Sequence, residues 1–200
     1  MQDTSVAAWA PAMTPQTVEA LSLLRMQACF FTGHRRLLSP ALQKQAGAFL
    51  MTLRECLDRE IETLFYQGVT VFYCGGARGF DLLAGAAVLR LRAVHPELRL
   101  IVLMPCRDQT RGWSGEERAL YEEVLSRAEV YCLQESYDSE CMRRRNRMLV
   151  DLSAVGITCY EPESARSGTG MTVRYAQSCG IPLVSLRSIC LAQMEAFSLD

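Results

Sequence analysis

The sequence predicts an α/β fold, a predominantly parallel β-sheet flanked by helices. Three observations predict it. Short apolar runs alternate with longer segments of helical periodicity, the signature of parallel strands joined by helical crossovers. Those runs are continuous rather than alternating in polarity, as strands covered on both faces require. Three polar, glycine-bearing turns follow such runs, on the sheet edge where ligands bind in open parallel folds.

The expected strands are 28–32, 69–74, 98–104, 129–133, 154–159 and 183–186. Between them, 41–66 carries Leu42, Ala46, Phe49, Leu50, Leu53, Leu57, Ile61 and Leu64 along one helical face. Segment 80–94 places Leu83, Ala86, Ala87 and Leu91 on one stripe, and its small residues allow close packing on a sheet. Segment 114–127 opens with Ser114 as a cap and with Glu116 and Glu117 in the first turn, where carboxylates favour the helix dipole. Segments 141–152 and 169–178 complete the set. Residues 1–25, with Pro11 and Pro15, read as a mobile arm or short helix near 18–24. Residues 26–200 read as a single domain.

The chain has 200 residues, half of them hydrophobic, and a net charge of −1. Such a balance gives no global pull toward nucleic acid or an anionic membrane, so a bound anion must be held by local geometry. The N-terminus lacks a signal-peptide pattern, and no apolar run reaches membrane-spanning length. A cytoplasmic protein with no membrane partner is expected. Nine cysteines without a CxxC pair, and only His34 and His95 as histidines, predict reduced thiols and no metal site. Cys29, Cys74, Cys106, Cys132, Cys159 and Cys179 fall mostly in apolar stretches, where a free thiol behaves as a small buried hydrophobe. No cofactor is expected: the first strand lacks the dinucleotide GxGxxG, and no GxxxxGK[ST] loop is present.

The strongest local signal is Gly75-Gly76-Ala77-Arg78-Gly79-Phe80-Asp81, between a strand and a helix. Its glycines permit close approach of a ligand, and the helix start supplies unpaired N–H groups for phosphate. Arg78 adds a charged donor, and Asp81 is suited to accept from a ribose hydroxyl. Thr32-Gly33-His34-Arg35 ends the first strand, with Arg35 or Arg36 able to pair with phosphate. Ser167-Gly168-Thr169-Gly170-Met171-Thr172 makes a second cradle at a helix start. Asn146 is a further contact candidate, and Trp113 is placed either to stack on a base or to cover the rim of the core. The basic run Arg143-Arg144-Arg145 has two readings, a pocket wall or a solvated helix face. Together these turns describe a Rossmann-like site for a nucleotide-type phosphate ligand.

The segments CFFTGHR (29–35), GGARGFD (75–81), Leu103–Pro105 with Trp113-Ser114, CMRRRNRMLVD (141–151) and GTGMTVRYA (168–176) occur in order. In this combination the chain resembles the YpsA-like members of the SLOG superfamily, which groups the Smf/DNA-processing-protein-A and Lonely Guy proteins. The resemblance runs from about residue 28 to 186. It implies a Rossmann-like fold and a nucleotide or nucleotide-derived ligand. Lonely Guy proteins are phosphoribohydrolases whose GGxGTxxE motif supplies a Glu to the chemistry. Here Gly168-Thr169 match the GT, whereas Thr172 stands in place of that Glu. Asp81 and Glu161 are the carboxylates left for an oxocarbenium-like step.

Three functions follow as expectations. The first is a module that binds or senses a nucleotide-derived molecule through Thr32, Gly33, Arg35, Gly75, Gly76, Arg78, Gly79, Asp81, Asn146, Gly168, Thr169, Gly170 and Thr172. The second is a nucleotide N-glycosidase using Asp81 or Glu161. The third is a single-stranded-DNA-binding accessory protein. Self-association is left open.

Overall fold

The structure, a computed structural model, describes residues 10–38, 40–161 and 167–197. Six strands form one parallel sheet: β1 (Ala28–Gly33), β2 (Val71–Cys74), β3 (Arg99–Met104), β4 (Glu129–Cys132), β5 (Val155–Cys159) and β6 (Leu183–Ser185). Their spatial order is β4-β3-β2-β1-β5-β6. The chain builds outward from β1 to β4, returns across the sheet, and places β5 on the other side of β1. The order therefore reverses between β1 and β5.

Seven α-helices are present among the described residues: α1 (Pro15–Ser22), α2 (Ala46–Tyr66), α3 (Phe80–Leu91), α4 (Gly115–Ser126), α5 (Cys141–Asp151), α6 (Gly168–Ser178) and α7 (Leu186–Phe197). Alternation along the strands decides which helices share a face. Cys29, Phe31, Phe72, Cys74, Leu100 and Val102 pack with Phe49, Leu57, Ala84, Val88, Val124 and Cys190, so α2, α3, α4 and α7 cover one side. Ala28, Phe30, Val71, Tyr73, Ile101 and Leu103 pack with Leu21, Leu149, Val150 and Ala176, so α1, α5 and α6 cover the other. Both faces are buried, which is why the strands read as continuous apolar runs.

Several expected boundaries shift. The helix expected over 41–66 is split into a 3-10 turn, Pro40–Gln45, and α2. The strand expected from residue 69 starts at Val71, because the Val69 N–H is spent on the Leu64 carbonyl in closing the preceding turn. Helix α7 was not anticipated after β6. The N-terminal arm is partly anchored: Cys132 N–H donates to the Pro11 carbonyl at 2.9 Å and Met13 N–H to the Cys132 carbonyl at 2.8 Å. Thr14 then caps α1, which begins on Pro15, a favoured first helical residue. Residues 1–9 lie outside the described part. Of the cysteines expected to be buried, Cys179 is exposed at the C-cap of α6, three residues past Ala176, the last buried residue of that helix. No helix among the described residues is long and apolar enough to cross a membrane.

Candidate functional site

At the reversal between β1 and β5 a cavity of about 670 Å³ opens beyond the carboxyl ends of the strands. Thr32, Gly33, His34 and Arg35 reach it from β1, Arg78 and Asp81 from the loop after β2 and the start of α3, and Glu161 from the end of β5. Arg145 and Asn146 enter from α5, and Gly168 and Thr169 from α6. The size suits a small-molecule ligand. All three turns singled out in the sequence meet here.

The glycine-rich loop does a different job from the one its motif suggests. Gly75 and Ala77 N–H groups both donate to Asp81 Oδ2, at 3.1 and 3.4 Å. The loop thus wraps its own buried carboxylate. Its glycines are required by packing: a Cβ on Gly75 would lie 0.8 Å from Arg145 Nη1, and one on Gly79 would lie 2.4 Å from the Arg35 carbonyl. Gly76 and Gly79 also take positive φ values of 60° and 85°, which favour glycine. Gly33 lies against the Phe80 ring on the same logic. Gly75, Gly76 and Gly79 do not line the cavity; they shape what does. Arg78 lines it and is paired with Glu117 at 3.3 Å.

Arg145 is the residue that sequence reasoning left undecided, and the structure turns it inward. Its side chain is 5 % exposed and its Nη1 stands 3.5 Å from Asp81 Oδ2. Among the described residues its Nε and Nη1 have no hydrogen-bond partner, and both atoms are buried. Buried polar groups are almost always satisfied, so a guanidinium set in the cavity wall with more donors than the protein engages is configured for an anion. Burial pushes the Asp81 carboxyl up and the Arg145 guanidinium down, and each charge opposes that effect on the other. A signal was present: Cys141, Arg145 and Leu149 recur every four residues, which places Arg145 on the buried stripe of α5. Arg143 and Arg144 are exposed and pair with Glu140 and Asp138.

The start of α6 forms the opposite wall. Ser167 Oγ accepts from Gly170 N–H at 3.0 Å, so Gly170 is internally satisfied. Thr169 Oγ1 donates to the Gly33 carbonyl at 2.8 Å and locks this turn to β1. Gly168 and Thr169 line the cavity in the first turn of α6, where backbone N–H groups have no intrahelical acceptor and lie at the positive end of the helix, a second set of anion donors. Thr172 is buried beneath them. It donates to the Gly168 carbonyl and accepts from Asn146 Nδ2 at 2.8 Å, so it orients Asn146 rather than reaching the main cavity.

The remaining wall is a small polar cluster. His34 Nε2 accepts from the Glu161 N–H at 3.1 Å, which places the ring proton on Nδ1. Burial pushes His34 below its ordinary value, against the pull of Glu161. Glu161 is ion-paired with Arg187 from α7. Both carboxylates of the cavity are therefore held by arginines, whereas no ion pair engages Arg35 or Arg36 among the described residues.

The family model described as the YspA SLOG family matches residues 29–183. The chain belongs to that family. Among curated proteins, a UPF0398 protein of Halalkalibacterium halodurans is 26 % identical over 118 residues, 58 % of this chain and 62 % of that protein. A UPF0398 protein of Bacillus velezensis is 24 % identical over 149 residues, 72 % of this chain and 82 % of that protein. Among solved structures, DNA processing protein A of Streptococcus pneumoniae matches with a TM-score of 0.51 and 16 % identity, over 88 % of this chain and 58 % of that one. That likeness concerns the fold. It agrees with the Rossmann-like expectation, and the family match agrees with the predicted superfamily.

Proposed function

We propose that this SLOG protein binds a nucleotide-derived phosphate ligand at the β1–β5 switch point. The observation that carries the reading is the buried Arg145 guanidinium with Nε and Nη1 unsatisfied at the cavity wall. The phosphate sits between Arg145, Arg35 and the N–H groups of Gly168 and Thr169. Thr32 and Asn146 lie within the same wall as hydroxyl and amide partners for a sugar. Asp81 positions Arg145 instead of binding ribose directly.

Thermal shift with adenosine 5′-monophosphate, ribose 5-phosphate and ADP-ribose tests this. A ligand at about 100 times its dissociation constant adds roughly 2.7 kcal/mol, a rise of several degrees for a chain of this size. Gly75→Ala drives a methyl into the Arg145 guanidinium, and Arg145→Lys keeps the charge but loses the fork. Both are expected to lower affinity at least tenfold in folded protein. Wild-type affinity in both variants, or no shift with any of the three ligands, would sink the reading.

A second reading is favoured by one feature. Past Asn146 and Gly168 the cavity continues into a groove between α5 and α6 lined by Arg143, Arg147 and Arg174. Together with the fold shared with DNA processing protein A, this supports a single-stranded nucleic acid lying along the sheet edge. It requires binding that weakens steeply as salt is raised. Oligonucleotide affinity unchanged between 50 and roughly 200 mM salt would remove it. Release of free base from a nucleotide, lost in Glu161→Gln, would instead make the site an N-glycosidase.

A further inference from the structure

A side cavity of about 360 Å³ opens next to the main one and shares Arg35, Arg78 and Met142 with it. Its outer wall is aromatic, formed by Trp113 and Tyr137. Trp113 is held edge-to-face on the buried Tyr121 ring, with centroids 5.5 Å apart and planes at 72°, so the core fixes its position. Tyr137 is 60 % exposed and free of any such packing. Arg111 and two hydrogen-bond acceptors complete the slot. Gln109 is 8 % exposed and gives its amide N–H groups to Tyr121 Oη at 2.9 Å and the Gly76 carbonyl at 3.5 Å, which leaves Oε1 for a donor. Asp108 supplies a carboxylate.

Building on the phosphate site above, we infer that this side cavity is a base subsite. A heterocycle packs against Trp113 and Tyr137 and turns its N–H edge toward Asp108 and Gln109. Its sugar passes Arg35, Arg78 and Met142, where the two cavities join, and its phosphate reaches Arg145. The chemistry selects this occupant: aromatic walls flanked by acceptors reward a planar base with exocyclic amino donors, groups that a bare phosphate or sugar phosphate lacks. The ligand class is accordingly a nucleoside phosphate or a longer derivative that keeps its base, with adenine the simplest match.

Calorimetric titration of the full chain with adenosine 5′-monophosphate and with ribose 5-phosphate separates the two subsites. Adenosine 5′-monophosphate is expected to bind at least tenfold more tightly. Tyr137→Ala, at an exposed position the core does not need, is expected to lower its affinity about tenfold and leave ribose 5-phosphate unchanged, since a base–aromatic stack is worth roughly that factor. The nucleotide should also quench tryptophan fluorescence, and Trp113→Phe should abolish the quench. Equal affinity for the two ligands, or equal loss of both in Tyr137→Ala, overturns the base subsite and leaves the phosphate site standing. Absence of binding by either ligand overturns both.

Discussion

Arg145 and Asp81 show how one ion pair can be structural and ligand-ready at once. Asp81 is satisfied by two backbone N–H groups, while Arg145 has donors to spare. Removing the carboxylate leaves the guanidinium buried and uncompensated, a change that typically costs about 3–5 kcal/mol. Asp81→Ala should therefore melt far below the wild type, and phosphate should recover part of the loss, because the anion replaces the missing charge. Phosphate-independent melting of the variant would contradict that role for Arg145. His34 gives the pH dependence. Its folded value is depressed, so the unfolded chain takes up a proton first, and stability is full above about pH 6.5 and falls as the pH drops below it. Protonation at Nε2 also breaks the hydrogen bond from the Glu161 N–H. Melting curves from pH 7.5 to 5 should show the decline, and His34→Gln should flatten it. At this scale the sequence was only half legible. Arg35, Asn146, Gly168 and Thr169 were expected at the site and line its cavity. Arg145 stood among near-identical neighbours that project about 100° apart on a helix, so only its spacing from Cys141 and Leu149 marked it.

The elements bring these residues together through their ends. Helix α4 begins with a reciprocal cap in which Ser114 Oγ accepts from Glu117 N–H and the Glu117 carboxylate accepts from Ser114 N–H. The same carboxylate holds Arg78, so the cap of one helix steadies the loop that starts another. Ser114→Ala is expected to cost about 1 kcal/mol, or roughly 2–4 °C in melting temperature. Glu117→Gln weakens the cap and also releases Arg78 at the cavity mouth. It should therefore lower stability while strengthening phosphate binding, a pair of opposite changes that thermal shift and titration read separately. Elements with strong periodicity and a clear cap, such as α4, were legible within a residue or two. Helix α7 was not, because nothing separates β6 from it: Leu186 directly follows Ser185 with no glycine or proline between them. It matters to the site nonetheless, since it carries Arg187 to Glu161.

For the whole molecule the strand order explains where function can sit. Neighbouring strands lead to β2 on one side of β1 and to β5 on the other, so the loops diverge there and leave a crevice. A sheet read as alternating strands and helices leaves that order open, which is why the fold class was legible and the pairing was not. The order also separates binding from edge protection. Strand β4 lies three places from β1, on the order of 14 Å at the usual strand spacing. Its outer edge is covered by Pro11–Met13, tied on by the Met13 N–H to the Cys132 carbonyl and by Arg107 Nη1 to the Ala10 carbonyl at 3.1 Å. An uncovered strand edge pairs readily with another chain. Met13→Pro removes the donor at the centre of this cover and leaves a buried carbonyl unpaired, for a loss of about 1–3 kcal/mol. The variant should melt lower and show concentration-dependent scattering, while its nucleotide affinity stays that of the wild type. A parallel loss of affinity would mean that the β4 edge and the β1–β5 crevice are coupled through the sheet, and the site could not then be treated as a property of the switch point alone.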